Sequence, residues 1–182
     1  MCSNSTVVIV GGGNSAGQAA VFLSEHAKKV LLLIRGDDLS KTMSQYLSRR
    51  LEQTDNIELL INSEISKMEG DDVLRSVEII NKKTNQTKTV ETSAVFIFIG
   101  AIPHTDWLPA EIDVDNKGFV KTGFQVTDSS SWKAPRQPFL LETSRPGVFA
   151  AGDVRLDSIK RVASAVGEGS MTVQFVHQLL SQ

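Results

Sequence analysis

Three consecutive glycines near the start of the chain, Gly11 to Gly13, are the residues whose type and spacing most directly predict chemistry. Gly11 permits a tight turn of the backbone, and Gly13 lets a phosphate group approach closely because it has no side chain. Asn14 and Ser15 follow, and Ala16 stands where a small residue lets a helix pack closely on a strand. The backbone N–H groups of such a loop are suited to binding a pyrophosphate.

The segments on both sides of the glycines supply the context that such a loop needs. Thr6 to Val10 is β-branched and apolar, which predicts a buried parallel strand. Asn14 to Lys28 places small apolar residues on one helical face, and Val30 to Ile34 predicts a second buried strand. Together they predict a site for the pyrophosphate of NADPH or NADH. A glycine-rich turn without a ligand is the alternative.

The end of the second predicted strand bears on which dinucleotide binds. An acidic residue there would bind a ribose 2′-hydroxyl and favour NAD or FAD. This chain has Arg35 instead, and arginine can pair with a 2′-phosphate through two hydrogen bonds, which favours NADPH. Asp37 and Asp38 weaken that preference, because they would repel a phosphate or bind a hydroxyl themselves.

The following elements continue the alternation of helix and strand. Ser40 is a candidate N-cap for a second helix, in which Met43, Leu47 and Leu51 recur every four residues. Ile57 to Ile61 then predicts a third short strand. Strands that alternate with helices predict an α/β fold with a parallel sheet, of the Rossmann-like kind.

The hydrophobic pattern of the sequence changes after the third predicted strand. Glu64 to Glu69, Val73 to Asn81 and Thr87 to Glu91 alternate polar and apolar residues, which predicts an antiparallel crossover ribbon. Ala94 to Ile99 is continuously apolar and predicts a central strand of the parallel sheet. Gly100 ends this strand, and we predict that it is a cofactor-binding residue.

The last third of the chain is less regular. Residues 104–146 are rich in turn formers, and Val148 to Ala151 predicts a short strand that ends at Gly152 and Asp153. A final helix is predicted from Arg161 to Leu180. Its apolar stripe is predicted to be buried against residues 111–150 or a second chain, and consists of Val162, Val166, Gly169, Val173, Val176 and Leu180.

Composition excludes several classes of partner. The chain has 182 residues and a formal net charge of −2, so nothing predicts binding to nucleic acid. No apolar run approaches the roughly 20 residues that a membrane span requires. The first residues lack the features of a signal peptide, and we expect a cytoplasmic protein. The single cysteine, Cys2, permits no intrachain disulfide and no cysteine-rich metal site.

Three blocks of the sequence resemble thioredoxin-reductase-like flavoproteins of the pyridine nucleotide-disulfide oxidoreductase superfamily. They are residues 7–20, 95–108 and 143–180. The chain is similar to the C-terminal part of such proteins. The resemblance implies an NAD(P)H-binding Rossmann-like domain at 5–110 and the C-terminal half of an FAD-binding domain at 111–182.

The resemblance also implies an activity, in which a hydride passes from NADPH to FAD. It implies that Gly152 and Asp153 lie at the flavin and that Arg161, Val162 and Ala163 form a helix start facing the isoalloxazine ring. This chain has one glycine fingerprint where the family has two, so FAD is expected to bind only if the missing N-terminal half is supplied. A homodimer, or association with an FAD-domain half, is expected because the family dimerises.

Several departures from the family pattern keep the function open. The arginines that hold the 2′-phosphate in the family are reduced to Arg35, with Lys41 as a possible substitute. A subgroup without the Cys-x-x-Cys pair is most similar, which leaves the substrate undetermined. No side chain is predicted to be an acid, base, nucleophile or metal ligand in the reaction. The alternative function is a non-catalytic module that binds or senses NAD(P).

Overall fold

A computed structural model describes residues 5–181 of the chain, and Cys2 lies outside this part. The chain divides into two compact units, here called the N-terminal unit, which ends at Gly100, and the C-terminal unit, which begins at Ala101. The domain boundary predicted at 110/111 falls inside the C-terminal unit.

The N-terminal unit contains a parallel sheet, an antiparallel sheet and two helices. Its elements are β1 (Thr6–Val10), α1 (Asn14–Ser24), β2 (Lys29–Leu33), α2 (Gln45–Glu52), β3 (Ile57–Leu60), β4 (Ser63–Gly70), β5 (Leu74–Asn81), β6 (Thr87–Glu91) and β7 (Val95–Ile97). The parallel strands are ordered β3-β2-β1-β7, and the antiparallel strands are ordered β4-β5-β6. The predicted α/β fold with a parallel sheet and an antiparallel ribbon is confirmed.

The parallel sheet is buried on both faces, which explains why its strands are continuously apolar. Val7 and Ile9 of β1 belong to the cluster that contains the buried residues of α1 and α2. Val8 points the other way and belongs to a second cluster with Val77 and Val90 of the antiparallel sheet. Successive side chains of a strand alternate between faces, so β1 contributes to both clusters at once.

The second helix begins later than the sequence predicts. Ser40 is not its N-cap; α2 starts at Gln45, and Ser44 occupies the N-cap position. The Asp38 carboxylate accepts hydrogen bonds from the Ser40 amide and hydroxyl, at 2.7 and 2.6 Å. This local turn competes with helix formation and holds Ser40 in the preceding loop. Met43, Leu47 and Leu51 are all buried, but Met43 precedes the helix in which the sequence predicts it.

The apolar run at 94–99 forms a shorter strand in a different place than predicted. Only Val95–Ile97 is a strand, and within residues 5–181 it pairs with β1 alone. It therefore lies at the edge of the parallel sheet, and the prediction of a central strand is wrong. Ile97 and Ile99 are exposed, so the continuous apolar character here does not reflect burial on both faces.

The C-terminal unit consists mainly of loops packed around one long helix, α3 (Val162–Leu180). Short 3-10 helices cover Gly123–Val126 and Gly152–Val154. The predicted strand from Val148 to Ala151 is reduced to one antiparallel bridge, between Glu142 and Phe149. Within residues 5–181 this bridge is isolated and does not belong to a sheet.

The long helix is docked on the preceding loops, but through a face adjacent to the predicted stripe rather than through the stripe itself. Phe175 stacks on Phe139, with ring centroids 5.4 Å apart, and on Phe149, with ring centroids 6.5 Å apart. The predicted stripe is largely outside this contact, since Val166 is 67% exposed and Val173 is 59% exposed. Docking onto residues 111–150 is thus confirmed, whereas burial of the valine stripe within this chain is wrong.

A buried ion pair braces the long loop before Phe139. Both terminal nitrogens of Arg136 donate to the carboxylate of Glu142, each at 2.7 Å. The amides of Phe139 and Gly147 also donate to Glu142, whose side chain is fully buried. The Arg136 guanidinium lies over the Trp132 ring, at 5.3 Å from its centroid. The loop is therefore held by specific contacts rather than only by its ends.

Candidate cofactor sites

The glycine loop follows β1 at the point where the strand order reverses. β1 lies between β2 and β7, so the loop stands at the carboxyl edge of the sheet beside this switch. Ligands of open α/β sheets bind in the crevice at such a position. The end of β2 and Gly100, which follows β7, reach the same edge because all these strands are parallel.

Gly11 occupies a backbone conformation that demands glycine. Its φ is +146°, and a Cβ atom added there would lie 2.4 Å from the carbonyl oxygen of Phe98. The turn therefore passes directly against the chain that follows β7. Gly13 differs, since its φ is −93° and an added Cβ would meet only the Thr42 carbonyl oxygen at 3.9 Å. Space beside Gly13 is thus open for a ligand.

The first turn of α1 is ready to bind an anion. Gly13 is the N-cap, and in the described structure no side chain caps the helix and no acidic residue lies in its first turn. The first amides of a helix lack partners within the helix and carry the positive end of its dipole. Asn14 and Ser15 are exposed beside these amides, whereas Ala16 is buried and packs the helix against the strand.

The loop after β2 carries the residues predicted to select the coenzyme. Arg35 and Lys41 are exposed, and Arg35 forms no ion pair within residues 5–181. Hydrogen bonds from the Ser40 hydroxyl and amide hold the pKa of the Asp38 carboxyl below its ordinary value. Because one carboxylate oxygen already accepts two hydrogen bonds, Asp38 is mainly a brace of its own turn.

Two hydrogen bonds join this loop to the glycine loop, and we call them the loop latch. The Thr42 hydroxyl donates to the carbonyl oxygen of Gly12 at 2.7 Å, and the Ser44 amide donates to Oδ1 of Asn14 at 2.8 Å. The side-chain oxygen of Asn14, a predicted cofactor ligand, is therefore already engaged by the protein. Thr42 and Ser44 were not singled out by the sequence, since they lie 30 positions from their partners.

Most of the predicted residues of the C-terminal unit lie around one open pocket of about 690 Å³. Gly152 and Asp153 line it on one side, and Arg161 and Val162 line it where α3 begins. Ala163 is in the first turn of α3 but is not part of the lining. As in α1, the described structure has no side chain that caps this helix start. The uncapped start of α3 therefore lies at this pocket.

Lys160 also lines this pocket, although the sequence did not single it out. Its ammonium group donates to the carbonyl oxygen of Asp153 at 3.0 Å and lies 4.2 Å from the centroid of the Phe119 ring. Both contacts fix the cation close to the Gly152 turn. The pocket therefore has a positive bias, from Lys160, Arg161 and the dipole of α3.

A carboxylate on α3 holds the Gly152 turn in place. Glu168 accepts a hydrogen bond from the Gly152 amide at 2.6 Å and another from a terminal nitrogen of Arg155 at 2.6 Å. Hydrogen bonding from Arg155 lowers the pKa of Glu168 and outweighs the opposing effect of burial. The φ of Gly152 is +77°, and an added Cβ would lie 3.2 Å from the Cβ of Ala165. Turn and helix are thus locked together.

Changing Glu168 to glutamine is expected to lower the free energy of unfolding of the C-terminal unit by about 1–3 kcal/mol. The amide side chain can accept from only one oxygen and brings no charge to meet Arg155, whose side chain is 17% exposed. Urea denaturation measures the loss. The matched control is Glu111→Gln, since Glu111 pairs with Arg145 at the surface and is expected to change stability by less than about 1 kcal/mol. Equal effects of both changes would contradict the bracing role.

Other chemistry is not indicated by the side chains. Within residues 5–181 no three histidine, cysteine, aspartate or glutamate side chains are grouped as metal ligands would be. Among the helices of the same residues, none has the length and apolar character needed to cross a bilayer.

Fold and sites together define a class of protein, an α/β protein with a glycine turn at the switch point of its parallel sheet and a second pocket at the start of a helix. Comparison with known proteins narrows the class. The chain belongs to the pyridine nucleotide-disulphide oxidoreductase family, whose sequence model matches residues 3–169.

Its relatives include thioredoxin reductases, which are oxidoreductase enzymes. The thioredoxin reductase of Debaryomyces hansenii is 33% identical over 180 residues, which are 98% of this chain and 51% of the relative. That of Chlamydia pneumoniae is 34% identical over 166 residues, 91% of this chain and 48% of the relative. The solved structure of T. acidophilum thioredoxin reductase matches with a TM-score of 0.75 and 27% identity, over 97% of this chain and 53% of that one. The chain spans about half the length of these relatives.

Proposed function

We propose that this chain is the NAD(P)H-binding portion of a thioredoxin-reductase-like flavin oxidoreductase, in which a hydride passes from NADPH to FAD. The observation that carries the proposal is the uncapped start of α1, which follows a glycine turn at the switch point of the parallel sheet. A bound dihydronicotinamide supplies the hydride and a bound flavin accepts it, so the protein provides binding and orientation.

The N-terminal unit would hold the coenzyme in two places. The amides that begin α1, at Gly13, Asn14 and Ser15, would bind the pyrophosphate. Arg35 and Lys41 would bind the 2′-phosphate, because both are exposed cations in the loop that follows β2. We propose NADPH over NADH on this ground.

The C-terminal unit would contribute one side of a flavin site. Asp153 and the amides at the start of α3 would face the cofactor, with Lys160 and Arg161 adding positive charge. The relatives are about twice as long as this chain, so FAD binding is proposed only with the remaining FAD-binding half present. A homodimer and a cytoplasmic location stay predictions. The electron acceptor is not assigned.

The alternative is a module that binds or senses NAD(P)H without catalysis. One observation favours it. The glycine loop, and the residues Thr42 and Phe98 that contact it, all lie within the N-terminal unit. Such a unit needs no flavin to present its binding loop. The two functions differ in whether the protein carries a yellow flavin once the remaining FAD-binding half is supplied.

Calorimetric titration of the purified chain with NADPH, NADH and FAD tests the proposal. We expect saturable binding of NADPH, weaker binding of NADH and no saturable binding of FAD by this chain alone. Adenosine monophosphate serves as the control ligand, because it lacks the pyrophosphate and is expected to bind at least about tenfold more weakly. Failure of both nicotinamide nucleotides to bind would overturn the proposal, and tighter NADH binding would overturn the coenzyme preference.

A further inference from the structure

We propose that the loop latch is a specificity device, which makes Thr42 a positioning residue for the 2′-phosphate of NADPH. This inference rests on the proposed function. Thr42 itself is not proposed to touch the coenzyme; its hydroxyl group holds the carbonyl oxygen of Gly12 at 2.7 Å. The latch thereby fixes the distance between the loop after β2 and the loop after β1.

The latch acts on a short and otherwise exposed segment. Thr42 directly follows Lys41, and both side chains are exposed, so burial does not hold these two residues in place. Beyond it, Met43 and Leu47 pack closely on α1, where a Cβ atom added at Gly17 would lie 2.8 and 2.7 Å from their side chains. The chain from Lys41 to Ser44 is thus tied to the glycine loop by two hydrogen bonds and anchored to α1 by the buried side chain of Met43.

Geometry explains why such a tie would discriminate between coenzymes. The pyrophosphate and the 2′-phosphate are joined by one ribose, so their separation in NADPH varies little. Binding both anions at once therefore requires that the amides of α1 and the cations Arg35 and Lys41 keep a fixed separation. A pre-organised pair of loops avoids the entropic cost of ordering them during binding.

NADH lacks the 2′-phosphate and makes only the pyrophosphate contacts of this pair. If the loop after β2 is loosened, NADH loses little binding free energy. The binding of NADPH then includes the entropic cost of ordering that loop. The latch is consequently expected to affect the ratio of the two dissociation constants rather than binding in general. A latch that merely shaped the glycine loop would affect both coenzymes equally.

The test compares Thr42→Val, which removes the hydroxyl donor at nearly constant shape, with Thr42→Ser, which keeps it. Calorimetry with NADPH and NADH gives the two dissociation constants for each chain. We expect Thr42→Val to weaken NADPH binding by about threefold to tenfold, the effect of one lost hydrogen bond, and NADH binding by less than twofold. We expect Thr42→Ser to keep the wild-type ratio of the NADPH and NADH dissociation constants.

The matched control is Thr54→Val, because the Thr54 hydroxyl makes a comparable bond to the Arg50 carbonyl oxygen at 2.7 Å, away from the glycine loop. It is expected to leave the ratio unchanged. Amide exchange at Ser44 provides a second measurement that needs no coenzyme, and we expect it to be faster in Thr42→Val than in the wild type.

The outcomes separate this inference from the proposed function. Suppose that the wild-type chain binds NADPH, and that Thr42→Val has the wild-type ratio of NADPH to NADH dissociation constants and the wild-type exchange rate at Ser44. This result would overturn the inference and leave the proposed function standing. Equal weakening of NADPH and NADH would also overturn it, since the latch would then only shape the glycine loop. Wild-type chain that binds neither coenzyme would overturn both.

Discussion

Replacing Gly11 with alanine is expected to destabilise the N-terminal unit by about 2–4 kcal/mol and to abolish NADPH binding. The new Cβ would lie 2.4 Å from the Phe98 carbonyl oxygen, which belongs to rigid backbone. The φ of +146° adds a conformational penalty for any residue with a side chain. The turn must therefore move, and the amides at the start of α1 move with it.

Gly13→Ala separates the loss of binding from the loss of stability. Its φ is −93° and its added Cβ would make only an ordinary contact at 3.9 Å, so the free energy of unfolding is expected to stay within about 0.5 kcal/mol of the wild type. The methyl group nonetheless occupies the space through which a phosphate would approach. We expect NADPH binding to weaken by at least about tenfold.

Urea denaturation and calorimetric titration of both variants measure these effects. Gly169→Ala is the control, because an added Cβ there meets no atom within 4 Å and the residue lies within α3. This change is expected to stabilise the helix by about 0.5–1 kcal/mol and to leave coenzyme binding unaffected. A Gly13→Ala chain that binds NADPH as the wild type does would contradict the assignment of the pyrophosphate to this loop.

Replacing Glu142 with alanine is expected to cost the C-terminal unit about 3–5 kcal/mol. The Glu142 side chain is fully buried and accepts four hydrogen bonds, two from Arg136 and one each from the amides of Phe139 and Gly147. Its removal leaves the Arg136 charge partly buried without a partner. The Arg136 guanidinium would also lose its fixed position over Trp132.

The same residue makes stability depend on pH in the acidic range. Burial acts to raise the pKa of Glu142, but hydrogen bonds from Arg136, Gly147 and Phe139 outweigh it, so the pKa lies below the ordinary 4.5. The unfolded chain binds the proton more readily, and the contribution of Glu142 is therefore complete above about pH 5–6 and lost as the pH falls through the lowered pKa. Glu142→Ala is expected to flatten this part of the stability profile.

Thermal or urea unfolding at a series of pH values tests both statements. Glu111→Ala removes a surface carboxylate whose side chain is 55% exposed, and it is expected to change stability by less than about 1 kcal/mol. If Glu142→Ala resembled Glu111→Ala in size and retained the wild-type pH profile, the bracing role of the buried pair would be wrong.

Local patterns predicted the fold of the N-terminal unit well, for a physical reason. Strands β1 and β2 are buried on both faces, so almost every residue in them must be apolar, and that run is visible without knowing its partners. The glycine loop is visible for a similar reason, since Gly11 has a conformation that other residues rarely adopt. In these places the sequence responds to a local constraint.

The face of α3 was predicted wrongly because two apolar stripes compete on that helix. The valine stripe has regular spacing, but the adjacent stripe, which contains Phe175, is the one that meets Phe139 and Phe149. Helical periodicity identifies apolar faces and does not identify which of them has a partner. That choice depends on residues far away in the chain.

The loop latch and the Glu168 brace were missed for the related reason that their partners are distant in sequence. Thr42 and Gly12 carry no joint signal, since a threonine in a loop is ordinary. Glu168 did offer a signal, an acidic residue in an otherwise apolar helical stretch, flanked by Gly167 and Gly169. A buried acid of that kind requires a cationic partner, which the structure identifies as Arg155.

The position of β1 has a consequence for how the protein is made. Val10 pairs with Leu33 early in the chain, but also with Ile97, near the end of the N-terminal unit. Pairings between such remote segments form late and slowly, because a long loop must close before they contribute. During synthesis, the turn at Gly11 therefore cannot acquire its final neighbour until Phe98 has left the ribosome. A coenzyme that recognises the finished turn would bind after the sheet is complete and cannot guide its assembly.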